Sequence, residues 1–188
     1  MRIIILIIVV IAVCSCNSSN TNNPESVYIP FDKGNRWSYK YDQELNPKNS
    51  SFAIKNMSGR KTAEFDQFPC LGFFDNAAIV VMSDNGSYIL DYPEAQDFEF
   101  IPPADKVKDG YQWTSGEWIC NIRGINEVLT INGKTYNDCL HIEFSSSITF
   151  WGEMWIKKGV GIVKWAFNRT NPPTTELGYY ELDEYIVK

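Results

Sequence analysis

Residues 36–42, RWSYKYD, alternate large aromatic and polar side chains. Trp37, Tyr39 and Tyr41 fall on one side; Arg36, Ser38, Lys40 and Asp42 fall on the other. Successive side chains of a strand point to opposite faces, so a period of two fits a strand buried on one side. Similar segments recur down the chain. FAIKNM is a weaker second strand. AAIVVMS and SYILDY flank Asp84-Asn85-Gly86, a hairpin signal. Pro93, Pro102 and Pro103 punctuate a stretch whose acidic middle, EAQDFEF, reads as a solvated loop. WICNIRGINEVLTI runs into Asn132-Gly133, which favours a type I′ turn into KTYNDCLHIEF. ITFWGEMWIKK and GIVKWAF meet at Lys158-Gly159-Val160-Gly161. ELGYYELDEYIVK alternates through Leu177, Tyr179, Tyr185 and Val187. Beyond the N-terminus no long window carries a helical i, i+3, i+4, i+7 stripe. DQELNPK is stopped by Pro47, and ESVYIPFD is broken by Pro30. The pattern predicts a mainly β chain of about eight to ten antiparallel strands with little helix, as a sandwich or a barrel, open or closed.

The N-terminus differs. Arg2 precedes an apolar run from Ile3 to Val13. As a helix this run would span roughly 16 Å, short of the ~30 Å bilayer core. It suits the apolar region of a signal peptide. The following Val13-Cys14-Ser15-Cys16 resembles the bacterial lipoprotein box: aliphatic, variable, small, then cysteine. The resemblance implies cleavage before Cys16 and lipidation of its thiol. A competing frame ends at Cys14, but Val13 is bulkier than the Gly, Ala or Ser usual before the lipidated cysteine. A plain secretory signal with incidental cysteines is the other alternative. NSSNTNNPES, residues 17–26, has no aliphatic or aromatic side chain and cannot offset its ordering entropy by burial. It reads as a tether. Asn17 is not the Asp that resembles an inner-membrane retention signal, so the outer membrane is the expected site in a cell with two membranes. The expected organisation is a signal peptide over 1–15, a lipidated cysteine and tether over 16–26, and one β-rich domain over 27–188.

Loss of residues 1–15 removes only Arg2 among the charged residues and leaves 16 basic side chains against 23 acidic ones. This excess of acid opposes binding to nucleic acid or to an anionic membrane face. After Cys16 there remain Cys70, Cys120 and Cys139. The envelope permits disulfides, and a Cys120–Cys139 bridge is conceivable if the two lie on neighbouring strands. All three also fit as small buried hydrophobes. The chain has no CxxC pair, which disfavours a thioredoxin-type or zinc-knuckle site.

Three segments together resemble a family of bacterial envelope lipoproteins of unknown function. Its members carry P-x-x-x-G-N-x-W-x-Y near the start and K-G-V-G-x-V-K near the end. Pro30, Gly34, Asn35, Trp37 and Tyr39 match the first motif. Gly133, Asp138 and Cys139 match a middle one. Lys158, Gly159, Val160, Gly161, Val163 and Lys164 match the last. The resemblance covers nearly the whole chain after the tether. It implies a single antiparallel β domain and a curved half-barrel sheet, and it supplies no established catalytic site to carry over. The same glycines and Asn35 also have a structural role as turn residues that adopt positive φ.

Chemistry-bearing residues are sparse. His141 is the only histidine. Cys139, His141 and Glu143 would share one face of a strand, with Leu140, Ile142 and Phe144 on the other. Adjacent side chains on one face stand about 6.5–7 Å apart, wide for one metal ion without help from another element. The pairs Asp97/Glu99 and Asp183/Glu184 raise a hydrolase reading. The aromatics are more telling: six Trp, ten Tyr and eleven Phe, 14% of the chain, which a core filled by large residues or a binding face would both use. Trp151 and Trp155 share a strand face with Glu153 between them, and with Trp165 they are the candidate ligand-binding residues. The expectation is a lipid-anchored, exported envelope protein without catalysis, cofactor or metal. Its partners would be the membrane, through the anchor, and an apolar or amphipathic ligand. A glycan- or protein-binding surface component is the alternative, and a hydrolase the third.

Overall fold

The computed structural model describes residues 27–41, 50–57, 62–65, 78–91, 97–146, 151–168 and 178–188, with backbone alone for 50–57, 62–65, 78–79 and 167–168. The expected signal peptide, Cys16, the tether and Cys70 lie outside these residues. The described chain forms β1 (Arg36–Tyr41), β2 (Ser50–Met57), β3 (Thr62–Phe65), β4 (Ala78–Met82), β5 (Tyr88–Asp91), β6 (Phe98–Ile101), β7 (Gln112–Ser115), β8 (Trp118–Ile131), β9 (Lys134–Ser146), β10 (Trp151–Lys157), β11 (Gly161–Asn168) and β12 (Tyr180–Ile186). One 3-10 turn, Ala104–Lys106, precedes β7.

The strands follow the order β6-β5-β4-β3-β2-β1-β12-β11-β10-β9-β8-β7. Every neighbour is also a sequence neighbour except at the β1–β12 join. The sheet is an up-and-down meander that meets its own ends at β1 and β12 and is cut open between β6 and β7. Strands β7–β12 and β1 form the larger part, and β3–β6 the smaller. Strand β2 serves both: Ser50–Ala53 pairs with β1, and Ile54–Met57 pairs with β3. At the cut, side chains replace the ladder. The Glu99 N–H donates to Ser115 Oγ at 2.6 Å, and Trp113 Nε1–H donates to the Glu99 carbonyl at 2.9 Å. The fold is therefore an open curved antiparallel sheet, as expected.

The twelve strands among the described residues exceed the eight to ten expected. EAQDFEF is the clearest correction: its second half is β6, with Phe98 and Phe100 buried at 2% and 0% exposure. The acidic residues disguised a period-two pair of phenylalanines. Strands β3 and β7 are too short, at four residues each, to show a period. The turns behave as their residues predict. Asn132 and Gly133 both have positive φ (51° and 76°), the signature of a type I′ hairpin. At the β4–β5 turn, Asn85 Oδ1 accepts from the Ser87 N–H and Gly86 has φ 84°.

The smaller part of the sheet folds over one face of the larger. Phe98 of β6 packs 5.7 Å from Phe144 of β9 and 5.4 Å from Trp118 of β8. The Tyr88 hydroxyl of β5 accepts from the Tyr28 N–H at 3.0 Å, and burial pushes its pKa up to about 12. On the larger part, Trp37 and Tyr39 bury their rings and reach past β12. Trp37 Nε1–H donates to the Val160 carbonyl at 2.6 Å, and Tyr39 Oη–H donates to the Ile162 carbonyl at 2.8 Å. The first and last motifs of the family resemblance thus touch across 123 residues of sequence. Gly161 permits this: its φ is +107°, and a Cβ there would meet the Trp37 ring at 3.1–3.5 Å. Asn35, fully buried, finishes the corner: its Nδ2 donates to the Pro30 carbonyl and its Oδ1 accepts from the Lys188 N–H.

Gly152 sets a second close contact. A Cβ there would sit 2.5 Å from the Phe144 ring and 3.2 Å from the Ala166 carbonyl oxygen. That ring is hemmed in by Phe98 and Trp118, so it cannot swing aside cheaply. Gly152→Ala is expected to destabilise the fold by about 1–3 kcal/mol, read as a lower urea midpoint. Phe144→Leu should cost less in the Gly152→Ala background than alone. Additive costs would show that the ring does not lie over Gly152.

Candidate functional site

Two neighbouring cross-strand rows lie on opposite faces of the larger part. Tyr41, Tyr180, Trp165, Met154, Ile142 and Ile122 form the row on the core face. Lys40, Glu181, Lys164, Trp155, His141 and Gly124 form the row on the other face.

The second row is charged and closely bonded. His141 Nδ1 lies 3.0 Å from Glu127 Oε1, and its Nε2 lies 2.9 Å from Glu153 Oε2. Glu127 Oε2 accepts from Trp155 Nε1–H at 2.5 Å, and Glu153 Oε1 accepts from Tyr179 Oη–H at 2.6 Å. The imidazole stacks on the Trp155 indole at 4.1 Å. Lys164 Nζ bonds Glu181 at 2.9 Å and sits 4.3 Å from the Tyr179 ring centre. Lys40 bonds Asp183 at 2.8 Å. Gly124 is what lets Glu127 arrive: a Cβ there would stand 2.6 Å from Glu127 Oε1. Burial lowers the affinity of His141 for a proton, but its hydrogen bonds to Glu153 and Glu127 outweigh that, and its pKa is raised. Because the carboxylates take opposite ring nitrogens, they do not converge on one point. Among the described residues no three His, Cys, Asp or Glu side chains are arranged to hold a metal ion.

The core-face row carries the aromatic surface. Trp165 and Tyr180 stack at 4.1 Å with an 8° interplanar angle, and Tyr41 stands 4.9 Å from Tyr180. Trp165 is 7% exposed, while Tyr180 and Tyr41 are half-buried. Among the described residues the Trp165 indole Nε1 has no hydrogen-bond partner, which is rare for a buried donor.

The register separates the three candidate tryptophans. Trp155 pairs with His141 and Lys164, whereas Trp165 pairs with Met154, so these two lie on opposite faces. Trp151 begins β10, half-buried, opposite Ser145 and Asn168. Cys139, His141 and Glu143, at alternate positions of β9, each take separate partners. Glu143 pairs with Arg123 at 2.7 Å, and Cys139 Sγ–H points to the Tyr136 carbonyl. Cys120 and Cys139 are free. Cys120 pairs with Phe144, five residues along β9 from Cys139, roughly 16 Å at strand rise. Burial raises both thiols, Cys139 to about 11 and Cys120 further. Glu99 belongs to the β6–β7 seam and Asp97 is exposed.

Sequence reasoning missed Glu127 and Glu153 as partners of His141. Glu153 was legible in position, sharing a strand face with Trp155. Glu127 was not, because irregular pairing at Ile122/Gly124, Gly124/Glu127 and Glu127/Leu129 sets where β8 meets β9.

No family model matches the chain, and no curated protein matches it. Solved structures do. One is a Bacteroides fragilis NCTC 9343 protein described as exported, with a YmcC-like fold: TM-score 0.50, 12% identity, covering 86% of this chain and 99% of that one. Another, from Parabacteroides distasonis ATCC 8503, is assigned as a lipoprotein: TM-score 0.48, 16% identity, covering 85% and 98%. At 12% identity the first likeness is one of fold: the chain shares the YmcC-like fold.

The burial difference between the two glutamates on this face has a measurable consequence. Glu153 is 10% exposed with two donors, while Glu143 is 26% exposed and faces the half-exposed Arg123. Glu153→Ala should cost about 3 kcal/mol, the scale for breaking a buried pair. Glu143→Ala should cost less than about 1 kcal/mol. Equal shifts in the urea midpoint would contradict the arrangement.

Proposed function

We propose that the chain is exported, cut before Cys16 and anchored by lipid on that cysteine to the cell envelope, at the outer membrane where two membranes exist. There it acts without catalysis as a binding module for an apolar or amphipathic ligand. The N-terminal sequence supports the address, as does the description of the Bacteroides fragilis structure as that of an exported protein. The observation that carries the binding reading is the Trp165–Tyr180–Tyr41 row. It offers stacked aromatic surface on the core face of an open sheet, beside an indole N–H without a partner. Rings of this kind bind apolar groups, and a donor among them fixes one polar atom of the ligand. The absence of catalysis is supported by two further observations. Cys120 and Cys139 are buried thiols with raised pKa, and both ring nitrogens of His141 face carboxylates. The charged face bearing Trp151, Trp155, Lys164 and Glu181 supports the alternative, a contact with a glycan or an envelope protein.

Native mass spectrometry of the processed protein, extracted in mild detergent, tests both parts. The covalent mass should correspond to a chain starting at an acylated Cys16, and Cys16→Ser should lose it. Additional mass that leaves on denaturation, and that Trp165→Leu reduces, is the expected sign of a carried ligand. A bare folded chain would overturn the carrier reading and direct attention to glycan arrays and envelope partners.

A further inference from the structure

Both ring nitrogens of His141 stand within hydrogen-bond distance of a carboxylate oxygen. A neutral imidazole has one N–H, so its second nitrogen would aim a lone pair at carboxylate lone pairs. An imidazolium donates to both. The carboxylates are themselves held as acceptors by other donors, Trp155 Nε1–H on Glu127 and Tyr179 Oη–H on Glu153. The geometry is thus complete only with a proton that a neutral histidine lacks.

We propose that His141, as an imidazolium bridging Glu127 and Glu153, is a proton-operated latch that holds the Glu127 arm over Trp155 and frees it when the proton leaves. The arms are unequal. Glu153 is 10% exposed and tied to Tyr179, whereas Glu127 is 37% exposed. Once one ring nitrogen loses its proton, water solvates Glu127 more readily than Glu153, so the Glu127 arm releases. Release also breaks the Trp155 indole bond, because both bonds end on the same carboxylate. The closed latch ties β8, β9 and β10 together and, through Tyr179, the residue just before β12. Other charged groups among the described residues of this face form pairs of their own: Lys164 with Glu181, Lys40 with Asp183, Arg123 with Glu143 and Lys157 with Asp138. The Cys139 thiol also lies alongside, with a raised pKa, so it does not titrate in the same range.

The sign of the pH effect follows. The folded protein holds this proton more tightly than the unfolded chain, whose histidine titrates near its ordinary 6.5. The latch therefore contributes its full stability below about pH 6.5 and loses it as pH rises through the elevated folded value.

His141 is the only histidine, so nitrogen-15 NMR of the full chain in mild detergent reports on it without overlap. The expected result is two protonated ring nitrogens below pH 6.5, a titration midpoint above 6.5, and movement of the Trp155 indole N–H resonance with that midpoint. Glu127→Gln and Glu153→Gln should each lower the midpoint. A midpoint at or below 6.5, or a Trp155 resonance indifferent to the His141 titration, would overturn the latch. A midpoint unchanged in both variants would do the same. The wild-type titration carries the test even if a variant fails to fold.

Discussion

The clasp of Trp37 and Tyr39 on the β10–β11 hairpin is the constraint on which the rest of the sheet depends. An up-and-down meander has no intrinsic reason to bring its first strand to its last. The ladder between β1 and β12 provides one link, but on the core side two rings reach over β12 to backbone carbonyls of Val160 and Ile162. Each bond satisfies a polar atom of a buried ring, and leaving such a donor or acceptor unmet costs about 1–3 kcal/mol. Gly161 is the concession that makes room, with a positive φ and the Trp37 ring against its Cα. Asn35 and the Lys188 N–H then close the corner around it.

With that end tied, the opposite seam need not close. Strands β6 and β7 meet through Ser115 and Trp113 bonded to the Glu99 backbone, without a ladder. The sheet curves around a dense aromatic core yet keeps a free edge on each side of the seam. Its two faces then diverge in chemistry. The core face runs from stacked Trp165 and Tyr180 into Met154, Ile142 and Ile122. The other face bonds its charges pairwise and buries one histidine between two glutamates. The aromatic row and the histidine–glutamate cluster thus sit back to back on β9 to β11, separated by one sheet.

Much of this was legible in the sequence where local chemistry decides the backbone. The alternation in RWSYKYD placed Trp37 and Tyr39 inward, and Asn132-Gly133 and Asp84-Asn85-Gly86 marked hairpins that the chain makes. The first and last of the three segments hold residues that meet at the clasp. What escaped depends on register. Phe98 and Phe100 were hidden by the acidic residues around them, because only the approach of β6 to Phe144 shows that this face is buried. Trp155 and Trp165 were grouped by residue type, and their pairing with His141 and Met154 respectively sends them to opposite faces. Glu127 reaches His141 through irregular β8–β9 pairing and the space left by Gly124, and a bare sequence carries neither.

Amide hydrogen exchange on the wild-type protein and Tyr39→Phe, compared residue by residue, tests the clasp most directly. If it unites the ends of the meander, loss of the Tyr39 hydroxyl lowers protection in β1, β11 and β12 together and by a common factor, since these strands then open as one unit. Loss confined to β1, with Ile162 and its β11 neighbours exchanging at the wild-type rate, would contradict the account.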